Sequence, residues 1–323
     1  MKILSKNHSS YPRVGDKPEL QKLRRAYNML DKEKISESEV EKILDDTVSE
    51  VIEEQLSSGC DIVTDGQIRS SDPLSYIARK IDGFKITGLL RFFDTNFLYR
   101  QPKAVSGLTY KKSLIADDFQ FLRGQVETKS SSVMIGPYSL LKMSIVNGDF
   151  EDCLANLADI YLKELIELKS KGAGLIQLDE PAILHNPDDI GLFKSVYDKI
   201  AAYDSRPEIL IGLYFGNATS LLAKLNELPV DGYCFDFTYS PGLIDSLDGF
   251  SKNIGLGIID ARNTKMEILA EVASKADAIL NNLKSAKVYI TTSCGLEFLP
   301  RNRAFDKLNL CADVAKALTG GAK

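Results

Sequence analysis

The sequence predicts an α/β protein folded as a single (β/α)8 barrel of the TIM type. Three observations support this prediction: the 323 residues are 44% apolar, eight short apolar runs follow one another, and amphipathic segments separate most of them. The length is compatible with one large domain or two smaller ones. A doubly wound sheet is the alternative, but it would usually carry a glycine-rich turn after its first strand, where this chain has Ser9-Ser10-Tyr11-Pro12-Arg13.

The predicted strands are short runs rich in apolar residues. Several are almost continuously hydrophobic, as in Ile209-Leu210-Ile211, which is typical of parallel strands covered on both faces. We predict strands at Lys2–Leu4, Asp61–Asp65, Ser132–Ile135, Gly174–Leu178, Ile209–Tyr214, Gly232–Asp236, Ile254–Ile258 and Val288–Thr292.

Helical periodicity fills the intervals between these strands. The segment Ser36–Ser57 begins with a helix-start signal, in which Ser36 is the expected N-cap and Glu39 completes a capping box. Further helices are predicted at Phe150–Lys171, at Lys265–Leu283 and near Arg303–Leu318.

One stretch breaks the alternation of strand and helix. Residues 84–125 carry aromatic and basic side chains and are expected to form a hairpin-like excursion after the second strand–helix unit. All of residues 1–323 are otherwise expected to form one barrel domain.

Composition excludes several classes of protein. The net charge of −5 argues against a dedicated nucleic-acid binder, and no run of about 18 apolar residues predicts a membrane span. The first residues lack a signal-peptide core, and the five cysteines form no CxxC pair, so we expect a cytoplasmic protein without nucleic-acid or membrane partners.

Polar residues follow most of the predicted strands. In a (β/α)8 barrel the carboxyl ends of the strands line the active site, so these residues predict a polar pocket for a small amino-acid-like or heterocyclic ligand. Any one of them could equally cap the next helix. The acid–base candidates are Asp179, Asp65 and Asp236, and the candidate ligand-binding residues at strand ends are Gln177, Asp179, Asn217 and Arg262.

A zinc site is not predicted from the residues. Zinc needs three or four His, Cys or carboxylate ligands that converge from separate strand ends. Only Cys294, together with Asp236, is placed to contribute, and neither His8 nor His185 is expected at a strand end.

Several motifs, in order along nearly the whole chain, carry a family resemblance. They are Tyr11-Pro12-Arg13-Val14-Gly15, Phe92-Phe93-Asp94-Thr95-Asn96-Phe97-Leu98-Tyr99, Ile176-Gln177-Leu178-Asp179-Glu180-Pro181-Ala182, Gly257-Ile258-Ile259-Asp260-Ala261-Arg262-Asn263 and Ser293-Cys294. The chain resembles the cobalamin-independent methionine synthase family, whose members contain two similar barrels, and it is closer to the N-terminal barrel.

The resemblance implies a degenerate zinc site. The zinc ligands of the family's catalytic barrel correspond here to Gly212, Tyr214, Asp236 and Cys294, and Gln67 stands where that barrel has a glutamate. In the family, zinc holds homocysteine as a thiolate for attack on a methyl-pterin. The resemblance therefore implies that this chain binds no cofactor and that a separate catalytic barrel supplies the zinc.

The resemblance also implies a basic surface for the polyglutamate tail of a methyl-tetrahydrofolate or methyl-tetrahydropterin donor. The candidates are Arg13, Lys17 and Lys22, in a basic run with Arg24 and Arg25 that could equally be a solvated helix face. Further basic candidates on the excursion, which the sequence does not rank, are Lys85, Arg91, Arg100 and Lys103.

Three functional hypotheses follow. The first is a component of a split methionine synthase, which acts in methionine biosynthesis, docks onto a zinc-bearing catalytic barrel and helps to bind the methyl donor. The second is a self-sufficient methyltransferase or lyase that uses its polar strand ends without zinc. The third is a barrel that binds a ligand without turnover.

Overall fold

The fold consists mainly of parallel strands covered by helices. It is seen in a computed structural model, which describes residues 1–126 and 129–320. The strands are β1 (Lys2–Ser5), β2 (Ile62–Val63), β3 (Ile81–Arg91), β4 (Leu98–Tyr110), β5 (Lys129–Ser130), β6 (Ser132–Ile135), β7 (Ile145–Asn147), β8 (Leu175–Asp179), β9 (Glu208–Leu213), β10 (Gly232–Asp236), β11 (Asn253–Ile259) and β12 (Lys287–Thr292).

The helices pack outside these strands and bury one face each. They are α1 (Lys22–Leu30), α2 (Glu37–Ser57), α3 (Pro73–Ala78), α4 (Ala116–Arg123), α5 (Pro137–Lys142), α6 (Phe150–Ser170), α7 (Ile190–Ala201), α8 (Leu222–Asn226), α9 (Leu269–Leu280) and α10 (Arg301–Gly320). The predicted capping box of α2 is confirmed: Glu39 donates its N–H to Ser36 Oγ, and Glu39 Oε2 accepts the N–H of Ser36 over 2.8 Å.

The main sheet has seven parallel strands in the order β1-β12-β11-β10-β9-β8-β6. Its register aligns the carboxyl ends of the strands, with Asp179 opposite both Ile135 and Gly212, and Asp236 opposite Gly257. The polar residues that follow the strands therefore gather at one end of the sheet. The predicted α/β class with a parallel sheet is confirmed.

The short strand β2 contacts both edges of this sheet. It pairs in parallel with β5, just before edge strand β6, and a parallel bridge joins Ile62 to Lys6, just after edge strand β1. Asn7 donates its backbone N–H to the Ile62 carbonyl over 3.0 Å, and Ser131 donates to the Val63 carbonyl over 2.9 Å.

The predicted excursion contains a long hairpin. Strands β3 and β4 are antiparallel from the Ile81–Tyr110 pair to the Arg91–Leu98 pair, and β7 adds to β4 in parallel. Helix α4 occupies the later part of the predicted stretch. The hairpin carries its tip, residues 92–97, over the carboxyl ends of the main strands, where Phe92 and Phe93 lie within about 6 Å of Phe215, between ring centroids.

The interior is apolar and contiguous. Buried Leu, Ile, Val and aromatic side chains from the helices and strands form one large cluster, and a smaller cluster contains Ile62, Leu175, Leu210, Cys234 and Tyr289. Within the described residues, none of the helices combines the length and the hydropathy needed to cross a membrane.

Candidate functional site

Five buried polar residues meet at the carboxyl ends of the strands, and we call them the polar cluster: Lys6, His8, Gln177, Asp179 and Tyr214. Lys6 donates its ammonium to Gln177 Oε1 over 2.8 Å and to the carbonyls of Asn7 and His8. Gln177 donates from Nε2 to Asp179 Oδ1 over 2.7 Å, and Tyr214 donates its hydroxyl to Asp179 Oδ2 over 3.3 Å.

Burial sets the charge states in this cluster. Desolvation raises the pKa of Asp179 to about 6, while the hydrogen bond from Gln177 and the charge of Lys6 oppose that rise. Desolvation and then the Lys6 charge lower the pKa of His8 well below its usual value, so its imidazole is neutral near pH 7. An ionisable carboxyl group thus lies near a lysine and a neutral histidine.

His8 offers a hydrogen-bond donor to a ligand. The ammonium of Lys6 fixes the amide of Gln177, so Gln177 Nε2 points toward His8 Nδ1 over 3.3 Å and assigns the imidazole proton to Nε2. His8 Nε2 is buried and has no hydrogen-bond partner among the residues that the structure describes. His8 is not predicted at a strand end, because the predicted first strand, Lys2–Leu4, stops four residues earlier.

A second group of unpaired polar atoms lies beside the last strand. Ser10 Oγ and Glu297 Oε2 are buried and lack partners within residues 1–126 and 129–320. A Cβ built on Gly295 would lie 2.0 Å from Ser10 Oγ and 2.3 Å from Glu297 Oε2, so a larger residue would force these side chains to move. Desolvation raises the pKa of Glu297 to about 7, and the charge of Asp179 adds to the rise. Glu297 is not among the site residues predicted from the sequence, and it lies in a short helical turn after β12.

The two other predicted acids have local roles. Asp236 accepts hydrogen bonds from the N–H groups of Thr238 and Tyr239 over 2.8 and 3.2 Å, which closes the turn after β10, and burial raises its pKa. Asp65 lies in a separate hollow with Arg69 and Asp118; desolvation and the Asp118 charge raise its pKa to about 6.

Glu180, which sequence analysis did not propose, is a structural anchor. It is fully buried and accepts the N–H groups of Tyr138 and Ser139, at the start of α5, and the hydroxyl of Tyr197. Desolvation raises its pKa to about 7. The position of Glu180 directly after Asp179, the last residue of β8, was a signal for this residue, since consecutive residues of an extended chain point to opposite faces.

Arg262 lies in an aromatic hollow beneath the hairpin tip, which it forms together with Phe93, Asp94, Thr95, His185, Phe215 and Tyr239. Its guanidinium lies 4.2 Å from the centroid of the Tyr239 ring and 5.5 Å from that of Phe215. The hollow has a volume of about 330 Å³, and a neighbouring space of about 360 Å³ shares Asp94, Thr95 and Arg262 with it.

Two residues of the aromatic hollow have strained backbones. Phe93 and Phe215 have φ angles of 48° and 64°, a left-handed conformation that aromatic residues rarely adopt. Their rings lie 5.7 Å apart between centroids. Strain of this kind concentrates at binding sites, where the surrounding structure holds it in place.

The remaining predicted binding residues lie outside the polar cluster. Asn217 accepts the N–H of Thr219 and stabilises a turn, while Arg13 donates to the Ser71 carbonyl over 3.1 Å. Lys17 precedes the short helical turn Pro18–Gln21, and Lys22 pairs with Glu50 of α2. The structure therefore brings Gln177 and Asp179 together and leaves the three basic residues near the first helix.

The positions that correspond to zinc ligands do not fit a zinc ion. A Cβ on Gly212 would lie 2.2 Å from Asp179 Oδ1, and the Tyr214 hydroxyl is engaged by the same carboxylate. Burial raises the pKa of the Cys294 thiol well above its usual value. In the part of the chain that the structure describes, no three His, Cys, Asp or Glu side chains are grouped so that they could hold a metal.

Comparisons with known proteins agree with one another. The family described as "Cobalamin-independent synthase, N-terminal domain" matches residues 66–284. Similar curated proteins are methionine synthases from Saccharolobus solfataricus, 28% identical over 91% of this chain and 90% of that protein, and from Saccharolobus islandicus, 30% identical with the same coverage.

Solved structures share the fold. A B12-independent methionine synthase from Shewanella sp. W3-18-1, in complex with selenomethionine, superposes with a TM-score of 0.82 at 20% identity over 99% of each chain. A methyltransferase from Methanosarcina mazei gives a TM-score of 0.61 at 12% identity over 83% of this chain and 85% of that chain.

Proposed function

This chain belongs to the cobalamin-independent methionine synthase family, and we propose that it is the N-terminal-type component of a split synthase. In this proposal it supports transfer of a methyl group from a methyl-pterin to homocysteine and docks onto a separate, zinc-bearing catalytic barrel. The observation that carries the proposal is the misfit at Gly212: the carboxylate of Asp179 occupies the space that a side chain at this position needs.

The fold that we infer is a closed eight-stranded barrel. Its support is the contact of β2 with both edges of the seven-stranded sheet, through the Lys6–Ile62 bridge on one side and the Ile62–Lys129 pair on the other. Strands β5 and β6, separated only by Ser131, then act as one barrel strand. Closure would place the polar cluster at the carboxyl end, where barrels of this type carry their sites.

The need for a partner follows from the chemistry of sulfur. A thiol with a pKa near 8.5 is mostly protonated at neutral pH, and activation of homocysteine requires a group that favours the thiolate. The buried Cys294 and the turn-forming Asp236 cannot supply a three-ligand metal site. The catalytic metal of the proposed complex therefore comes from the other subunit.

The aromatic hollow is the proposed contact with the methyl donor. A reduced pterin is a flat heterocycle, and the Phe93 and Phe215 rings provide apolar faces at its proposed site, with Asp94 and Arg262 as polar partners. The glutamyl tail would pair with basic side chains. Arg13 and Lys17 are the candidates that make no ion pair within residues 1–126 and 129–320, whereas Lys22 already pairs with Glu50.

The hairpin is the proposed docking surface for the catalytic barrel. Leu89, Leu90 and Leu98 are exposed by 58%, 43% and 50% beside the tip that covers the strand ends. Leu89 and Leu98 lie on one face of the hairpin and Leu90 on the other, since residues that pair across two strands share a face. The exposed pair Leu89 and Leu98 is the kind of apolar surface found in protein–protein contacts. A partner seated here would face the aromatic hollow directly.

The experiment mixes this chain with a separately purified zinc-containing catalytic barrel of the family. We expect a co-eluting complex, and methyl transfer from methyl-tetrahydropteroyl-triglutamate to homocysteine that exceeds the rate of either protein alone. Leu89→Asp should abolish the complex, whereas Leu269→Asp, at another exposed leucine, should not. Arg262→Gln should raise KM for the donor at least about tenfold without loss of the complex. Absence of both a complex and a rate increase would refute the proposal.

A self-sufficient enzyme is the second candidate, and the unpaired atoms of the site favour it. A polar ligand would find three buried atoms that lack hydrogen-bond partners among the described residues: His8 Nε2, Ser10 Oγ and Glu297 Oε2. Asp179, with a pKa of about 6, could exchange a proton with this ligand. Turnover by the isolated chain, lost in a folded Asp179→Asn variant, would support this candidate. Activity that appears only in the mixture would exclude it.

A further inference from the structure

A further cavity, of about 380 Å³, lies at the amino ends of the parallel strands, away from the polar cluster. Four of its charged residues begin strands: Lys2 begins β1, Lys129 begins β5, Glu208 begins β9 and Lys287 begins β12. Because parallel strands are aligned in register, these side chains face one another across the entrance. Lys2 lies directly opposite Lys287.

Positive charge is in excess among the described residues that line this cavity. Glu208 is the one carboxylate among them, and it is already shared by the ammonium of Lys287, the Tyr289 hydroxyl over 2.9 Å and the Asn253 amide over 2.8 Å. Lys2 and Lys129 approach each other closely, and this contact, followed by desolvation, lowers the pKa of Lys129. Like charges held together in this way favour an anion between them.

The floor of the cavity is apolar. Leu4, Ile62, Leu175 and Tyr289 line it below the lysines. The wall at Gly174 is open, since a Cβ built there would have no atom within 4 Å. The cavity is within the range of 300–1,000 Å³ that is typical of small-molecule sites.

We propose that this cavity binds a small anion that carries two or more negative groups on a flat or apolar body. The ammonium groups of Lys2 and Lys129 would hold the negative groups at the entrance, beside the Lys287–Glu208 ion pair, and the apolar floor would contact the body of the anion. This site is separate from the proposed methyl-donor site, because its residues come from the opposite ends of the strands.

The test is isothermal titration calorimetry of the full chain with naphthalene-1,5-disulfonate, which has two negative groups on a flat aromatic body. We expect saturable one-to-one binding that weakens as salt is added. Naphthalene-1-sulfonate, with one charge, and inorganic pyrophosphate, with no apolar body, should each bind at least about tenfold more weakly.

Substitutions of residues that line the cavity test whether the anion binds there. Lys129→Gln and Lys2→Gln should each weaken binding of naphthalene-1,5-disulfonate at least about tenfold, and Gly174→Leu should block it by filling the open wall. Lys163→Gln, an exposed lysine on α6, and Arg262→Gln, in the aromatic hollow, should leave the affinity unchanged. Thermal unfolding of each variant checks that it is folded.

Two results would overturn the proposal. One is a lack of saturable binding to the folded wild-type chain. The other is binding that survives in Lys129→Gln and Gly174→Leu, or that disappears in Arg262→Gln, because either would place the ligand elsewhere. Neither result bears on the split-synthase proposal, which is tested by the mixture with a catalytic barrel.

Discussion

Tyr214 donates its hydroxyl to Oδ2 of Asp179 over 3.3 Å, and so joins the ends of two adjacent parallel strands. Gly212, two residues before Tyr214, lies opposite Asp179 on the neighbouring strand. Both positions accommodate the same carboxylate: Gly212 leaves space for Asp179 Oδ1, and Tyr214 donates a hydrogen bond to Asp179 Oδ2.

The first prediction concerns Gly212→Ala. The added Cβ would lie 2.2 Å from Asp179 Oδ1 and 2.9 Å from Gln177 Nε2, so the polar cluster must shift. Forced overpacking of this kind typically costs about 1–3 kcal/mol of unfolding free energy. Urea denaturation of the variant and the wild type measures the difference.

Gly191→Ala is the matched control for this prediction. Gly191 lies in the first turn of α7, and a Cβ there meets no atom within 4 Å. Alanine is favoured over glycine in helices, so stability should stay the same or rise by up to about 1 kcal/mol. Equal stability of Gly212→Ala and the wild type would contradict the packing described at Asp179.

The second prediction concerns Lys6→Met. Lys6 is fully buried and donates to three acceptors, over 3.0, 2.9 and 2.8 Å. Methionine fills a similar volume but leaves these acceptors unpaired and Asp179 without its nearby cation, which should cost about 3–5 kcal/mol of unfolding free energy. Chemical denaturation tests this loss against Lys34→Met, an exposed position where the change should be within about 0.5 kcal/mol.

Much of the main sheet could be predicted because its signals are local. The predicted strands Ser132–Ile135 and Gly232–Asp236 match the observed β6 and β10. The predicted strand Asp61–Asp65 is shorter, with only Ile62 and Val63 paired, because its flanks bond to side chains instead of a neighbouring strand. Thr64 donates its N–H to Gln55 Oε1, and Asp61 donates its N–H to Ser5 Oγ, each over 2.9 Å.

The candidate site was harder to predict because its contacts span the chain. Lys6 and Gln177 are 171 residues apart, and no local pattern marks a lysine that a distant amide will bury. Lys22 looked like part of a basic run, but the packing of α1 on α2 gives it Glu50 as a partner. The family resemblance drawn from the motifs is confirmed by the family match over residues 66–284, whereas the roles of the individual residues stay predictions.

The third prediction concerns pH. Glu297 has a pKa of about 7 in the folded chain, raised from its usual 4.5 by desolvation. A carboxyl group with a raised pKa contributes stability that is complete below about pH 4.5 and is lost as the pH rises through 7. The unfolding free energy should therefore fall between pH 5 and pH 8, by up to about 3 kcal/mol from this group.

Glu297→Gln separates this group from the others. The variant should have a shallower dependence of unfolding free energy on pH, measured by urea denaturation in buffers of equal ionic strength. Some slope should remain, because Asp179 and Glu180 also have raised pKa values, of about 6 and 7. An unchanged slope would mean that Glu297 titrates with its usual pKa.

The last prediction concerns the attachment of the hairpin to the strand ends. Phe92 is buried in the tip, and its ring contacts those of Phe93, Phe97, Tyr99 and Phe215 at centroid distances of 5.0 to 6.2 Å. Phe92→Ala should remove these contacts and cost about 3–5 kcal/mol of stability, mostly within the hairpin. Hydrogen exchange should then show lost protection in β3 and β4 before the main sheet is affected.

Leu269→Ala, at an exposed leucine on α9, should leave exchange in the hairpin unchanged. Uniform loss of protection in the hairpin and in β8–β10 would instead show that the two regions unfold as one unit, so that Phe92 does not hold the hairpin separately.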